Sequence, residues 1–291
     1  MTRRASRGVA LVAVLWGVFL LAVIAAGVAA LMRAENAMAA LDFESARQEA
    51  LLESVRVLAI QRLLNPKESQ RLSVDGGTNV INWHGERVEV AVTLEGSRID
   101  LNSANDELLR ALAEVAGLAP RSANEWVAKI RDWQDADDER RLGGAEWADY
   151  RAVRRNYGPR NDLLKAPDEA RLLLGVADSV SNCLQSAVTV FSRSREPDVG
   201  RMPPLVRAAW ERWQKSQSLA AAALPSASGA PAHIDVVGLV LRIELLVARS
   251  DSRGSEHWLV GRLAGGSSRP WITLAAGSED GSQSCRSSPP T

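Results

Sequence analysis

The chain has 291 residues, a length that suggests about two domains. It carries 35 Lys and Arg against 35 Asp and Glu, so no general basic surface is offered to nucleic acid. Two cysteines exclude a disulfide-rich scaffold and a four-cysteine zinc site, and three scattered histidines leave little for a histidine-based metal or catalytic centre.

The apolar residues are concentrated at the start. Val9 to Met32 contains no charge and no proline. At about 1.5 Å per residue this stretch makes roughly 36 Å of helix, enough for a hydrocarbon core of about 30 Å. Arg3, Arg4 and Arg7 precede it, and the positive-inside bias keeps that end in the cytoplasm. A secretory signal peptide also begins basic and then apolar, with a cut at Ala-rich sites such as Ala25-Ala26-Gly27. Its apolar region runs only about 7–15 residues, shorter than this one. From Arg33 the residues are mostly good helix formers, with Leu41, Leu52, Val55, Leu58 and Leu63 at helical intervals. One helix is expected from Val9 to Leu64, roughly 84 Å long, apolar first and amphipathic later.

A basic leader ending at Gly8, followed by such a helix, resembles the type IV pilins and pseudopilins. The resemblance implies cleavage by a prepilin peptidase between Gly8 and Val9, with methylation of the new N-terminus. That family's usual fifth mature residue is glutamate, whereas here it is Ala13. The K-type minor pseudopilins of the type II (general) secretion pathway lack that glutamate.

Beyond the helix the pattern changes. Val80, Ile81 and Trp83 lead to a turn at Gly85, and Val88, Val90 and Val92 alternate with period two. Arg98 to Asn102 reads as a third extended stretch. Ser103-x-x-Asp106 and Ser122-x-x-Glu125 each read as a capping box opening a helix, the first closed by Gly117. Pro167 and Gly175 bracket another helix, and Pro203 to Leu219 a further one with Val206, Trp210 and Trp213 on one face. The pair around GLAPRS has the outline of a helix-hairpin-helix, but Glu107, Glu114 and Glu125 line it, which speaks against DNA.

Between these helices lies the densest acidic segment, with seven carboxylates from Asp132 to Asp149. Asp135, Asp137, Glu139 and Glu146 fall at positions one, three, five and twelve of an EF-hand loop. The glycine needed at position six is Arg140. Gly143-Gly144 allow a turn bringing Glu146 back to the aspartates. The residues alone leave two readings equally open: a calcium loop, or a solvated acidic loop balanced by Arg140 and Arg141.

The Asp-Trp-x-Asp-x-Asp segment, then Gly-Gly-Ala-Glu and Tyr150, then Tyr157-x-Pro-Arg-Asn161 and the Pro167–Gly175 helix, closely resembles the K-type minor pseudopilins. The likeness runs from Met1 to about Phe191. It implies an α+β fold: a long N-terminal transmembrane and amphipathic helix on an antiparallel pilin-like β-sheet, with a large inserted α-helical domain. It also implies calcium. The ligands expected are Asp135, Asp137 and Glu146, completed by Asp138, Glu139 or Asp149.

The expected organisation is a leader over 1–8 and a helix over 9–65, transmembrane over 9–32. The first part of the sheet follows over 66–102, the helical insertion over 103–219 and a linker over 220–232. The rest of the sheet is expected over 233–275 and a disordered tail over 276–291. The implied function is a subunit at the tip of a periplasmic pseudopilus that assists export of folded proteins. It sits in the bacterial inner membrane with its globular part periplasmic. The implied partners are the I- and J-type minor pseudopilins and the prepilin peptidase, with no nucleic acid and no small-molecule substrate. No nucleophile–base constellation, P-loop or dinucleotide fingerprint occurs, so no enzyme is expected. The alternatives are a minor type IV pilin in DNA uptake or adhesion, and an anchored periplasmic enzyme.

Overall fold

The structure is a computed structural model, and it describes residues 6–217, 237–247, 255–264 and 270–280. The expected linker lies outside these residues, as do Met1 to Ala5 of the leader and most of the expected tail. Pairing of Cys183 with Cys285 lies outside them too, because Cys285 does.

Helix α1 runs Ser6–Leu63. It contains a stretch long and apolar enough to cross a membrane, with Leu11, Trp16, Phe19 and Ile24 all exposed. The chain divides into two compact units at Val55, so the last two turns of α1 belong to the second unit. Leu41 is exposed, unlike the later members of the expected apolar stripe, Leu52 and Val55.

In the second unit, strands β1 (Asp75–Trp83), β2 (Glu86–Leu94), β5 (Val240–Val247), β6 (Ser255–Leu263) and β7 (Trp271–Asp280) form one antiparallel sheet. Their spatial order is β1-β2-β5-β6-β7. Two residues at positive φ, His84 and Gly85, join β1 to β2 in a turn whose twist suits a hairpin. The period-two pattern is explained by one buried face. Val88, Val90 and Val92 are wholly buried, and Leu241, Ile243, Leu245 and Leu259 lie on the same buried face. Ala59 and Leu63 at the end of α1 are buried in this unit as well.

Everything between β2 and β5 is inserted into the sheet. Helices α2 (Asp106–Val115), α3 (Pro120–Gln134), α4 (Trp147–Ala152), α5 (Asp178–Gln185) and α6 (Pro204–Gln217) surround a separate core, joined by a 3-10 turn at Pro167–Leu172. Leu108, Leu109, Leu112, Trp126, Ile130, Tyr150, Val206 and Trp210 belong to that core.

Several boundaries differ from the sequence reading, each for a physical reason. The stretch after β2 does not join the main sheet. A 3-10 turn at Glu95–Ser97 redirects the chain, and β3 (Ile99–Asp100) pairs in parallel with β4 (Val188–Thr189). The helical core therefore begins at Ile99 rather than at 103. Helix α2 is capped by Asn105, whose side chain accepts from the Leu108 N–H, and not by Ser103. Helix α3 starts at Pro120, whose fixed φ suits the first helical position, ahead of the expected Ser122 cap. Strand β7 continues to Asp280, past the expected start of the tail, because β6 offers a partner at every step to Ser255.

Two buried arginines join sheet to insertion. Arg242 donates from Nε and Nη2 to both oxygens of Glu95, at 3.0 and 3.1 Å, and lies 4.8 Å over the Trp258 ring. Arg98 donates to the Glu244 carboxylate at 3.0 Å, to Thr93 Oγ1 and to the Ser186 carbonyl. Burial works against the Glu95 carboxylate, but the paired arginines outweigh it and hold Glu95 below the usual carboxylate range.

Candidate metal centre

The acidic loop leaves the end of α3 and returns at the start of α4. Its base is closed by aromatic rings: Trp133 and Tyr150 meet edge-on at 6.0 Å, and Tyr150 meets Tyr157 at 5.7 Å. Gly143 holds a positive φ. A Cβ on Gly144 would collide with the Asp132 carboxylate, so glycine is what lets this backbone pass.

The sequence-predicted ligands fall into distinct environments. Glu146 is 4% exposed, and neither of its carboxylate oxygens has a partner among the described residues. Glu146 and Asp149 stand in the arrangement of a capping box at the start of α4, and the Asp149 N–H reaches the Glu146 carbonyl at 2.8 Å. Burial, followed by the charges of Asp132, Asp135, Asp138 and Asp137, pushes Glu146 up to about 7. Asp135 accepts from Arg141 Nη2 at 2.9 Å through one oxygen and leaves the other buried and unpartnered. Asp137 accepts from the Glu139 N–H at 2.9 Å, and Asp138 from Asn161 Nδ2 at 3.2 Å. Glu139 is exposed. Asp149 has both oxygens engaged: one accepts from the Glu146 N–H at 2.9 Å, the other from Arg140 at 2.8 Å. It is the third helical residue of α4, and its side chain closes back on the N–H of Glu146, the N-cap.

Two residues outside the expected ligand set enter the site. Asp132 is wholly buried, and burial raises its carboxyl above the usual range. Asn161 reaches in from the following segment. It adopts a positive φ, donates to the Asp137 carbonyl and the Asp138 carboxylate, and leaves its own Oδ1 buried without a partner. Its place in the Tyr157-x-Pro-Arg-Asn161 segment was the available sequence signal.

Among the described residues, no group of three or more His, Cys, Asp and Glu is gathered as a ready metal cage. Four unpartnered oxygens nevertheless remain: two on Glu146, one on Asp135 and one on Asn161. Buried carboxylate and amide oxygens without donors are costly, and an all-oxygen set suits a hard divalent cation such as calcium. The donor chemistry therefore fits that ion.

A long apolar N-terminal helix, an antiparallel sheet and a helical insertion together define an α+β fold with an inserted helical domain. Residues 90–193 match the family model for type II secretion system protein K. The fold is similar to that of a chain in the crystal structure of the GspK-GspI-GspJ complex from the enterotoxigenic Escherichia coli type 2 secretion system. The TM-score is 0.56 at 15% identity, covering 81% of this chain and 98% of that one. No curated protein matches the chain. The structural likeness shows the fold. The family match covers the acidic loop and the helices around it.

Proposed function

We propose that this chain is a K-type minor pseudopilin at the tip of a periplasmic pseudopilus, where it assists assembly and the export of folded proteins. The observation that carries the reading is the family match across residues 90–193, the stretch that builds the acidic loop and most of the helical core. The N-terminal helix supports it, being long and apolar enough for a membrane anchor. Three leader arginines favour a cytoplasmic N-terminus and a periplasmic globular part.

In this reading a prepilin peptidase cuts between Gly8 and Val9, and the new N-terminus is methylated. A fibre subunit packs its apolar helix among others, where a free N-terminal ammonium needs a neutralising acid. Ala13 cannot offer that acid to a subunit above, which suits the top position. The I- and J-type minor pseudopilins are the proposed partners, and the fold likeness to a chain of the GspK-GspI-GspJ complex supports them. The role is structural rather than enzymatic.

Calcium is the proposed resident ion. Glu146, Asp135 and Asn161 would supply the unpartnered oxygens, with Asp132, Asp137 and Asp138 around them. When bound, the ion would neutralise the charge that the loop now carries unpaired.

The decisive experiment is co-purification of the full chain, in detergent, with I- and J-type minor pseudopilins, together with the intact mass of the mature protein. A stable complex and a chain beginning at Val9 are expected. A folded chain that retains Met1 and associates with neither partner refutes the proposal.

A further inference from the structure

Resting on the metal reading above, we propose that Arg141 is a built-in counter-ion of the acidic loop, which a divalent cation displaces on binding. The loop then has two closed forms, one held by a guanidinium and one by metal.

The side chain of Arg141 bridges two of the carboxylates nearest the unpartnered oxygens. Its Nη2 donates to Asp135 at 2.9 Å, and its Nε lies 3.4 Å from Asp132. Its backbone N–H points at both Asp132 oxygens, at 3.3 Å each. The backbone thus ties the loop to Asp132 whatever the side chain does. The guanidinium occupies only the outer oxygen of Asp135 and leaves the other facing inward, unpartnered. A cation drawn to Glu146 and to that inner oxygen would sit within a few ångströms of the guanidinium charge. Two positive charges at that range repel, so each lowers the affinity of the loop for the other.

Exchange is feasible because Arg141 is held at the surface. Its side chain is 52% exposed, so release into water costs little. The buried Arg242 at Glu95 is 7% exposed and has no such exit. Arg141 also lines a groove of about 290 Å³ between α2 and α3, beside Asp106 and Glu107. The side chain can turn towards those acids without moving the backbone that Asp132 holds. Arg140 makes a similar half-exposed pair, but with Asp149, whose other oxygen caps α4. Arg140 therefore serves as a control, a nearby arginine that does not hold an inward-facing carboxylate.

The test is calorimetric titration of calcium chloride into the metal-stripped full chain in detergent. Wild type, Arg141→Gln and Arg140→Gln are compared, with thermal midpoints taken in chelator. Arg141→Gln is expected to bind calcium about threefold to tenfold more tightly than wild type and to melt lower in chelator. Arg140→Gln is expected to bind within about twofold of wild type. If wild type binds calcium and a folded Arg141→Gln binds no more tightly, the displacement is refuted while the metal reading stands. A wild type that binds no calcium overturns both. Should Arg141→Gln fail to fold, the arginine Nε–H spectrum of wild type decides. The resonance absent from Arg141→Lys must shift or exchange faster on adding calcium, and an unmoved resonance overturns the proposal.

Discussion

Glu95 and Glu146 are the same residue type, both buried in the second unit, and their surroundings drive them in opposite directions. Glu95 has an arginine nitrogen on each oxygen and is held below the usual carboxylate range. Glu146 has no partner among the described residues and is pushed up to about 7. Burial raises both, so the difference comes from the counter-charges. The sheet junction supplies its own cations at fixed positions and is complete as folded. The acidic loop gathers acids beyond what its arginines can neutralise, and that surplus is what the proposed ion would balance.

The sharpest way to break the comparison is to remove the cation from the completed side. Arg242→Ala removes both hydrogen-bonded nitrogens from buried Glu95 and leaves it only Arg98, whose Nη1 lies 3.6 Å away, and a buried pair broken on one side costs about 3–5 kcal/mol. Urea unfolding of the full chain in detergent should show a midpoint shift of that size or outright loss of the fold. An effect below about 1 kcal/mol would mean that water reaches Glu95 and that the two sites differ less than their geometry indicates.

The next test exchanges each acid for its neutral isostere in chelator. Glu95→Gln should destabilise, by about 1.5–3 kcal/mol, since it removes charge-assisted bonds from a buried arginine. Glu146→Gln should stabilise by on the order of 1 kcal/mol at neutral pH or above, because it removes a buried charge that nothing balances. With calcium the ranking at Glu146 inverts: wild type gains stability by mass action and the variant gains little. Thermal melts of the three proteins, with and without calcium, measure all of this. The same sign for both variants in chelator would dissolve the contrast.

The pH profile follows from the two directions. Glu95, lowered when folded, contributes stability that is present above its ordinary value of 4.5 and is lost as pH falls. Glu146, raised when folded, contributes stability that is full below 4.5 and is lost as pH rises through about 7. Metal-free wild type should therefore lose stability relative to Glu146→Gln between pH 4.5 and 7, as followed by thermal midpoint. Parallel profiles would mean that Glu146 is not held protonated.

How much of this was legible in the sequence depends on the range of the forces involved. The anchor helix and the Val88-Val90-Val92 strand announced themselves because periodicity is local and burial follows it. The strands after residue 233 could be read for the same reason. The site of β3 could not, because its pairing with Val188 and Thr189 is settled by a turn at Glu95–Ser97 and by contacts far along the chain. Helix starts were misplaced where two capping signals stood close together, as with Ser103 and Asn105. Density and spacing marked the acidic loop and its glycines. They could not separate Glu146, which is buried at the N-cap of α4, from Asp149, whose side chain closes back on the Glu146 N–H, since both are acids three residues apart. Nor could spacing bring Asn161 across from the next segment.

The smallest expected effect concerns that asparagine, and it tests whether the site extends beyond the loop. Asn161 sits at a φ of 54°, where a side chain costs something and glycine does not. Its amide nitrogen ties the Asp137 carbonyl and the Asp138 carboxylate, at 3.2 Å each. Asn161→Gly therefore gives up two exposed hydrogen bonds and relieves a left-handed backbone, changes that oppose one another. In chelator the thermal midpoint should move by less than the equivalent of about 0.5 kcal/mol. Its Oδ1, buried and unpartnered, is also removed. If that oxygen completes the shell around an ion, the stabilisation by calcium should shrink while the chelated protein barely changes. An equal loss in both conditions would make Asn161 only a backbone tie, and the centre would then be confined to the stretch between α3 and α4. A loss confined to the calcium-bound protein would join two separate segments of the insertion through one ion. That would be the counterpart of what Arg98 and Arg242 do for the sheet with covalently attached charges.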